Sequence, residues 1–145
     1  MNTLVKVVLL GLVAAMAGCA TGFASSPASR APGPEEALVY GYRLPLISGH
    51  LWDTQLSIDG IPRIELNDKE YSQVYVASGL HEFTARFHHE KPLQVRQDLQ
   101  GGQTYHLELS QEIIGKNRVR HVMQFVPSHT GKDILQHYTY TPAEH

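Results

Sequence analysis

Hydrophobic and polar residues alternate along the chain from Ala37 to Val126, and turn residues interrupt this alternation about every ten residues. Successive side chains of a strand point to opposite faces, so each alternating segment indicates a half-buried strand. In the first segment, one face holds Leu38, Tyr40, Tyr42 and Leu44; in the fifth, the inward face holds Phe83, Ala85 and Phe87. The pattern predicts an all-β sandwich of about seven to eight strands in two packed sheets.

Turn residues separate these strands. Asp59-Gly60 is typical of a tight hairpin, because such a turn requires positive φ. Pro62 follows it and lacks the N–H that a central strand needs, so we expect the third strand at a sheet edge. At the C-terminus we expect a single helical turn between Thr130 and His137. Tyr138–Thr141 is either a short extra strand or a disordered end.

The N-terminus has the features of a secretion signal. An apolar run from Val7 to Ala17 follows Lys6, and this run is about half the length that a membrane-spanning helix needs. The run ends in Met16-Ala17-Gly18-Cys19, which resembles the lipobox of bacterial lipoproteins. The resemblance implies cleavage before Cys19, acylation of this cysteine, and anchoring in a membrane. The alternative is a buried or free thiol after ordinary signal cleavage.

The resemblance also bears on location, since Ala20 after the cysteine resembles lipoproteins that are sorted to the outer membrane and face the periplasm. The segment that follows is rich in Ala, Ser and Pro and predicts a flexible tether. We therefore predict a signal-peptide helix over residues 1–18, a tether over 19–36, a sandwich domain over 37–127 and a C-terminal extension over 128–145.

Four motifs carry a further resemblance. They are Tyr40-Gly41-Tyr42-Arg43, Asp59-Gly60, Ser78-Gly79-Leu80-His81 and Gly101-Gly102-Gln103-Thr104-Tyr105. Together they resemble a family of bacterial lipoprotein domains related to PEGA domains, over about residues 37–110, with Ser78, Gln103 and His106 as departures. The resemblance implies a transthyretin-like or immunoglobulin-like β-sandwich and an accessory role outside the cytoplasm. It implies no catalytic residues and no cofactor.

Charge and cysteine content narrow the functional classes. The chain has 12 Lys and Arg against 14 Asp and Glu, a net charge of -2, so it lacks the basic surface of a nucleic-acid-binding protein. Its single cysteine excludes an internal disulfide bond. Arginines 43, 63, 86 and 96 are expected on outward, solvated strand faces.

Nine histidines are the unusual feature of the composition. Metal sites need converging ligands, and no strand carries two histidines at i and i+2, so we expect no metal. His88 and His89 are adjacent and would point to opposite faces of a strand. A cross-strand contact between His88 and His106 is conceivable. For His81 we expect hydrogen bonds to a turn backbone, with ligand contact as the alternative.

Hydrolytic catalysis has little support in the sequence. The chain lacks a Gly-x-Ser-x-Gly elbow. Ser48-Gly49-His50 and Ser128-His129 place serine and histidine side by side in predicted loops, where serine and glycine are common. The sequence therefore predicts a protein that is not an enzyme.

Aromatic residues supply the candidate contacts. Tyr40, Tyr42, Trp52, Tyr71, Tyr75 and Tyr105 are expected mostly in or beside the core. The favoured hypothesis is a non-enzymatic, lipid-anchored envelope protein that binds or organises another envelope component. The alternative is a glycan- or peptidoglycan-binding module, and a small hydrolase or metal-binding protein comes third. Candidate contacts to a ligand or partner are Trp52, Tyr42 and His81.

Overall fold

The computed structural model describes residues 30–48 and 52–144. The predicted signal peptide, Cys19, the first part of the tether and His50 lie outside the described residues. Within the described part, no helix is long and apolar enough to cross a membrane.

Nine strands and one helix make up the described part of the chain. They are β1 (Glu36–Arg43), β2 (Thr54–Ile58), β3 (Ile61–Leu66), β4 (Glu70–Ala77), β5 (Gly79–Arg86), β6 (Leu93–Leu99), β7 (Thr104–Gly115), β8 (Arg118–Val126), α1 (Ser128–Leu135) and β9 (Thr139–Tyr140). One sheet has the order β8-β7-β1-β4-β9 and the other the order β3-β2-β5-β6. The predicted all-β sandwich is confirmed, and the two-residue β9 brings the number of strands to nine.

The core lies between the two sheets. Fully buried hydrophobic side chains come from both of them, among them Val39, Leu56, Phe83 and Leu107. The inward face predicted for the fifth strand is confirmed, since Phe83 and Ala85 are fully buried and Phe87 is 6% exposed. Most of the hydrophobic contribution to folding comes from this layer.

Strand β1 is buried on both faces because it lies in the middle of its sheet and beneath the C-terminal segment. It pairs with β4 in antiparallel and with β7 in parallel orientation. Ala37, Val39 and Arg43 point between the sheets. Tyr40 and Tyr42 lie on the other face, where Tyr42 meets the ring of Tyr138. The tyrosines of β1 therefore pack outside the inter-sheet core.

The turn chemistry agrees with the sequence. Asp59 and Gly60 have φ values of 51° and 78°, as the predicted hairpin requires. Strand β3, which contains Pro62, is an edge strand. The adjacent residues His88 and His89 do not continue β5, which ends at Arg86.

The folded unit extends beyond residues 37–127. Arg30 pairs with Glu36 and lies over the ring of Tyr75, 3.8 Å from its centroid. Helix α1 packs on β7 and has eight residues, rather than the single turn that we expected. The backbone N–H of Glu144 donates to the carbonyl of Arg63 at 2.7 Å. Residues 30–36 and 128–144 thus pack on the sandwich.

The two ends of the sandwich differ. We call the end that holds the start of β1 and the β2–β3, β4–β5 and β6–β7 turns the entry end. The end that holds the β1–β2, β3–β4, β5–β6 and β7–β8 connections is the loop end. The eight residues of β1 run from one to the other, a distance of about 25 Å at roughly 3.3 Å per residue.

Candidate functional site

The loop end presents a wall of aromatic rings. Trp52 is 51% exposed, and its ring stacks on His88 with 3.9 Å between centroids and 15° between planes. The rings of His88 and His89 are 3.7 Å apart. These side chains border a cleft of about 170 Å³ whose other walls include Phe87, Glu90 and His121.

The two adjacent histidines come together because they lie in a turn. The backbone N–H of Glu90 donates to the carbonyl of Phe87 at 3.3 Å. His89 has a φ of 59°, a left-handed conformation that histidine adopts more readily than most residues. The expectation that His88 and His89 point to opposite faces is therefore wrong, because the strand ends before them.

A buried arginine holds the segment that carries Trp52. The guanidinium Nη1 of Arg43 donates to the carbonyls of Trp52, at 2.6 Å, and Leu66, at 2.9 Å. Its Nη2 lies 2.8 Å from the Oδ1 of Asp68. Arg43 is fully buried, so its expected place on a solvated face is wrong: it follows Val39 and Gly41 on the face of β1 that points between the sheets.

A second network fixes the β1–β2 loop. The Oε1 of Gln111 accepts the backbone N–H groups of Ile47, at 2.7 Å, and Ser48, at 3.1 Å. Since a backbone N–H only donates, this atom must be the amide oxygen, which makes Nε2 the donor. The Nε2 of Gln111 lies 2.9 Å from the carbonyl of Ser48 and 2.8 Å from the Nε2 of His121.

The same network fixes the tautomer of His121. Its Nε2 accepts from Gln111, so the ring proton is on Nδ1, which donates to the Oε2 of Glu90 at 2.5 Å. Both nitrogens of His121 are thus engaged, and the ring stacks on Phe87 at 3.9 Å. His121 ties the β1–β2 loop to the β5–β6 loop.

This arrangement differs from a hydrolytic site. Gln111 stands between Ser48 and His121, with 3.5 Å from its Nε2 to the Ser48 hydroxyl. The ring nitrogen that would accept a proton from a serine is occupied by the Gln111 amide. Among residues 30–48 and 52–144, no three His, Cys, Asp or Glu side chains are grouped as metal ligands.

Large apolar side chains are also exposed on other connections of the loop end. Ile47, in the β1–β2 loop, is 59% exposed. Strand β7 continues past Leu109, its last contact with β1, into an exposed hairpin with β8. On this hairpin Ile113 is 71% and Ile114 is 45% exposed, and Ile113 shares the face of Gln111.

His81 lies at the entry end, far from Trp52. Its Nε2 is 2.7 Å from the carbonyl of Ala77, and its Nδ1 is 2.6 Å from the Oδ2 of Asp59. The expected hydrogen bond to the turn backbone is therefore present. The backbone N–H of Glu82, followed by the His81 ring, lowers the pKa of Asp59. His81 links the β2–β3 and β4–β5 turns.

Tyr42 is not available as a ligand contact, so that candidate is corrected. It is fully buried, and its hydroxyl lies 3.1 Å from the Oε2 of Glu108. Burial, followed by the charge of Glu108, raises the pKa of Tyr42. The reason is the C-terminal segment, which covers this face of β1 with Tyr138.

The conceivable pair of His88 and His106 does not form, because the two residues belong to different sheets. His88 follows β5 in the four-stranded sheet, whereas His106 is on β7 in the five-stranded sheet. His106 is fully buried beneath α1 rather than exposed on a polar face. Its ring stacks on Tyr40, with 5.2 Å between centroids.

Sequence reasoning found Trp52 but missed Glu90, Gln111 and His121. Glu90 lies in a turn, and Gln111 and His121 lie on two strands. The hydrogen-bonded pair of His121 and Glu90 is 31 positions apart in the sequence. The β7–β8 hairpin brings Gln111 opposite His121, and the fold brings Glu90 to them from the β5–β6 connection. Comparison of the chain with models of known families, with curated proteins and with solved structures finds no match.

Proposed function

We propose that this protein is a lipid-anchored, non-enzymatic protein of the bacterial cell envelope that binds another envelope protein through its loop end. The lipobox-like Met16-Ala17-Gly18-Cys19 and the preceding apolar run support the anchor. The motif resemblance to PEGA-related lipoprotein domains supports an accessory role outside the cytoplasm. An outer-membrane location facing the periplasm is proposed from Ala20.

The observation that carries the binding role is the set of exposed apolar side chains at the loop end. Trp52, Ile47 and Ile113 are each more than half exposed. Large apolar side chains exposed at one end of a molecule are typical of contact surfaces, and tryptophan is enriched among the residues that dominate binding energy. The cleft of about 170 Å³ that Trp52 borders is smaller than most small-molecule sites, which have about 300–1,000 Å³. The small volume of the cleft favours a protein partner over a small-molecule ligand.

Rigidity supports the same role. The amide of Gln111 binds Ile47 and Ser48 of the β1–β2 connection, and the carbonyl of Trp52 is held by Arg43. A contact surface that is ordered before binding loses less conformational entropy when the partner arrives. Both ring nitrogens of His121, a residue type that often acts as a general base, are hydrogen-bonded in this network, one to Gln111 and one to Glu90.

The anchor and the loop end are placed to work together. A tether from Cys19 to Arg30 would span about 17–20 Å as a flexible coil. The chain joins the sandwich at the entry end, so the loop end points away from the lipid. The exposed residues near Trp52 would then face partners in the surrounding compartment.

Capture of partners from native membranes tests this proposal. Full-length protein is cross-linked in cells and purified from detergent-solubilised membranes, as wild type, Trp52→Ala, Ile113→Ser and Ile61→Ser. We expect the first two variants to lose a protein that the wild type retains. Ile61→Ser is the matched control, because Ile61 is 52% exposed but lies at the entry end. Equal capture by all four proteins would contradict a contact at the loop end.

The anchor needs its own experiment. Cys19→Ser removes the thiol that would carry lipid, whereas Ser26→Ala changes a neighbouring hydroxyl only. We expect the cysteine variant to leave the membrane fraction and to lose incorporation of radiolabelled palmitate. Unchanged membrane retention of Cys19→Ser would contradict acylation.

Glycan binding is the second candidate, and the half-exposed ring of Trp52 favours it. Trp52 is the only tryptophan of the chain, so its fluorescence reports on this position alone. Saturable quenching by peptidoglycan fragments that is absent with unrelated oligosaccharides would support this function. Metal content after native purification tests the remaining alternative of a metal-binding protein.

A further inference from the structure

A second cavity lies on the outer face of the five-stranded sheet, beneath helix α1. It has about 400 Å³ and is lined by Tyr40, Tyr71, His106, Lys132, Leu135 and Gln136. Its volume falls within the usual range of small-molecule sites, about 300–1,000 Å³. It is separate from the cleft at the loop end, so it is independent of the function proposed above.

One wall of this cavity is formed by two tyrosine rings. Tyr40 on β1 and Tyr71 on β4 have ring centroids 6.3 Å apart and planes tilted by 50°. Both side chains are only partly buried, although they stand on a sheet face that the helix crosses. Aromatic faces of this kind accept the apolar face of a sugar ring or the plane of an aromatic ring. The ligand would therefore present a ring to the sheet.

A cation stands at the rim. Lys132 on α1 is exposed, and within the described part of the chain its ammonium group forms no salt bridge. The amide of Gln136 adds a hydrogen-bonding group beside it. An unpaired ammonium group next to a concave surface attracts an anionic ligand.

The inner wall holds a buried side chain whose hydrogen-bonding capacity is unused. His106 is fully buried, and neither of its ring nitrogens has a hydrogen-bond partner among the described residues. Buried polar groups are almost always paired, so such a group calls for an explanation. A neutral imidazole has one N–H to donate and one nitrogen to accept with, which suits an oxygen-rich ligand.

Helix α1 packs directly against the ring of His106 through Gly131. A Cβ added at Gly131 would lie 2.2 Å from the Nδ1 of His106, so only glycine permits the close approach. Helix α1 has eight residues and no side-chain hydrogen bond at its N-terminus. A helix this short depends on tertiary packing, and because His106 is fully buried, α1 would have to move for a ligand to reach the ring nitrogens of His106.

From these observations we infer that the cavity beneath α1 binds a small carboxylate that carries a six-membered ring. The ring packs on Tyr40 and Tyr71, the carboxylate pairs with Lys132, and a further ligand oxygen bonds to the ring of His106. Two sources share this chemistry: a sugar acid, such as the muramic acid of peptidoglycan, and an aromatic acid.

The experiment compares each acid with its neutral counterpart on the full-length protein in detergent. Titration calorimetry is run with N-acetylmuramic acid against N-acetylglucosamine, and with 4-hydroxybenzoate against 4-hydroxybenzamide. We expect one acid to bind at least about tenfold more tightly than its neutral partner. The acid that binds identifies the source. Failure of both acids to bind, or equal binding of acid and neutral compound, would overturn the inference.

Variants locate the site. Lys132→Gln should weaken binding of the acid about tenfold, whereas Lys116→Gln, an exposed lysine in the β7–β8 turn, should leave it unchanged. In protein labelled with ¹⁵N-histidine, the ring resonances of His106 should shift on binding while those of His81 stay in place. Binding that is insensitive to Lys132→Gln, or that leaves His106 unshifted, would place the ligand elsewhere and refute the site.

Discussion

Arg43 shows how one buried charge can organise a loop. It is fully buried, and its guanidinium group bonds to the carbonyl of Trp52, which precedes β2, and to the carbonyl of Leu66, the last residue of β3. Strand alternation correctly places Arg43 opposite the tyrosines of β1. The expectation that the face of Arg43 is solvated is wrong, because β1 is buried on both faces. The final arrangement depends on the covering helix, which the sequence predicted only as a single turn.

Removal of this guanidinium group should destabilise the protein. Arg43→Ala leaves the carbonyls of Trp52 and Leu66 without their donor and Asp68 without its cation. We expect the free energy of unfolding to fall by about 2–5 kcal/mol, the range for breaking a buried, hydrogen-bonded pair. Urea denaturation followed by circular dichroism measures it.

Arg86→Ala is the matched control for this substitution. Arg86 is exposed at the end of β5, and its replacement should change the stability by less than about 0.5 kcal/mol. If both variants unfold at the same urea concentration, the network around Arg43 contributes nothing to stability.

His106 should make the stability depend on pH. Burial, followed by the positive charge of Lys132, lowers the pKa of His106 in the folded protein. As the pH falls below about 6.5, the unfolded chain takes up a proton that the folded chain refuses. Stability is therefore complete above this pH and decreases as the pH falls towards the lowered pKa, by at most about 1.4 kcal/mol per pH unit.

The prediction is checked by the difference between the wild type and His106→Leu in chemical denaturation between pH 5 and 8. The variant has a side chain of similar size that does not titrate, and it should be the less pH-sensitive of the two. His129→Leu, at an exposed position of α1, should retain the pH dependence of the wild type. Parallel stability curves for the wild type and His106→Leu would show that burial of His106 has no such effect.

At the scale of elements, the β1–β2 loop depends on a side chain from β7. The amide of Gln111 satisfies the N–H groups of Ile47 and Ser48, which otherwise would face solvent. In Gln111→Leu these bonds are lost, so hydrogen exchange of the two amides should accelerate about tenfold, the equivalent of one hydrogen bond. Exchange measured by mass spectrometry on the loop peptide tests this expectation.

Gln94→Leu supplies the comparison, because Gln94 is an exposed residue of the edge strand β6. The loop peptide of this variant should exchange at the rate of the wild type. Acceleration in both variants would mean that the loop responds to general destabilisation rather than to the Gln111 amide. No change in Gln111→Leu would contradict the role of the network.

The sequence revealed strands better than it revealed contacts between them. Period-two alternation and turn residues such as Asp59-Gly60 are local signals, and they predicted most strands and the edge position of Pro62. The pairing of β1 with β7 in parallel orientation is not local, since it joins residues 66 positions apart, as between Tyr42 and Glu108. Trp52 is found from its residue type alone. The network of Gln111, His121 and Glu90 is missed because the bond between His121 and Glu90 joins β8 to the β5–β6 connection, 31 positions apart.

At the scale of the whole molecule, β1 runs from the end of the sandwich where the N-terminal segment joins it to the loop end, where Trp52 is exposed. The strand enters beside Ala77 and leaves beside Leu109, so the ends of the sandwich are about 25 Å apart. The entry end exposes Ile61 and Leu80, and the loop end exposes Trp52 and Ile113. If a lipid on Cys19 anchors the protein, the entry end lies closer to the bilayer than the loop end.

Quenching by lipid measures this orientation. In the lipidated protein Cys19 is blocked as a thioether, so a cysteine introduced as Ile61→Cys or Ile113→Cys is the only free thiol for a fluorescent label. On vesicles that contain a headgroup nitroxide, the label at residue 61 should be quenched more strongly than the label at residue 113, because nitroxide quenching falls steeply over the length of β1. The Cys19→Ser background, which lacks the anchor, should show little quenching at either position. Stronger quenching at residue 113 would reverse the orientation and place the ring wall of Trp52 against the membrane instead of a partner protein.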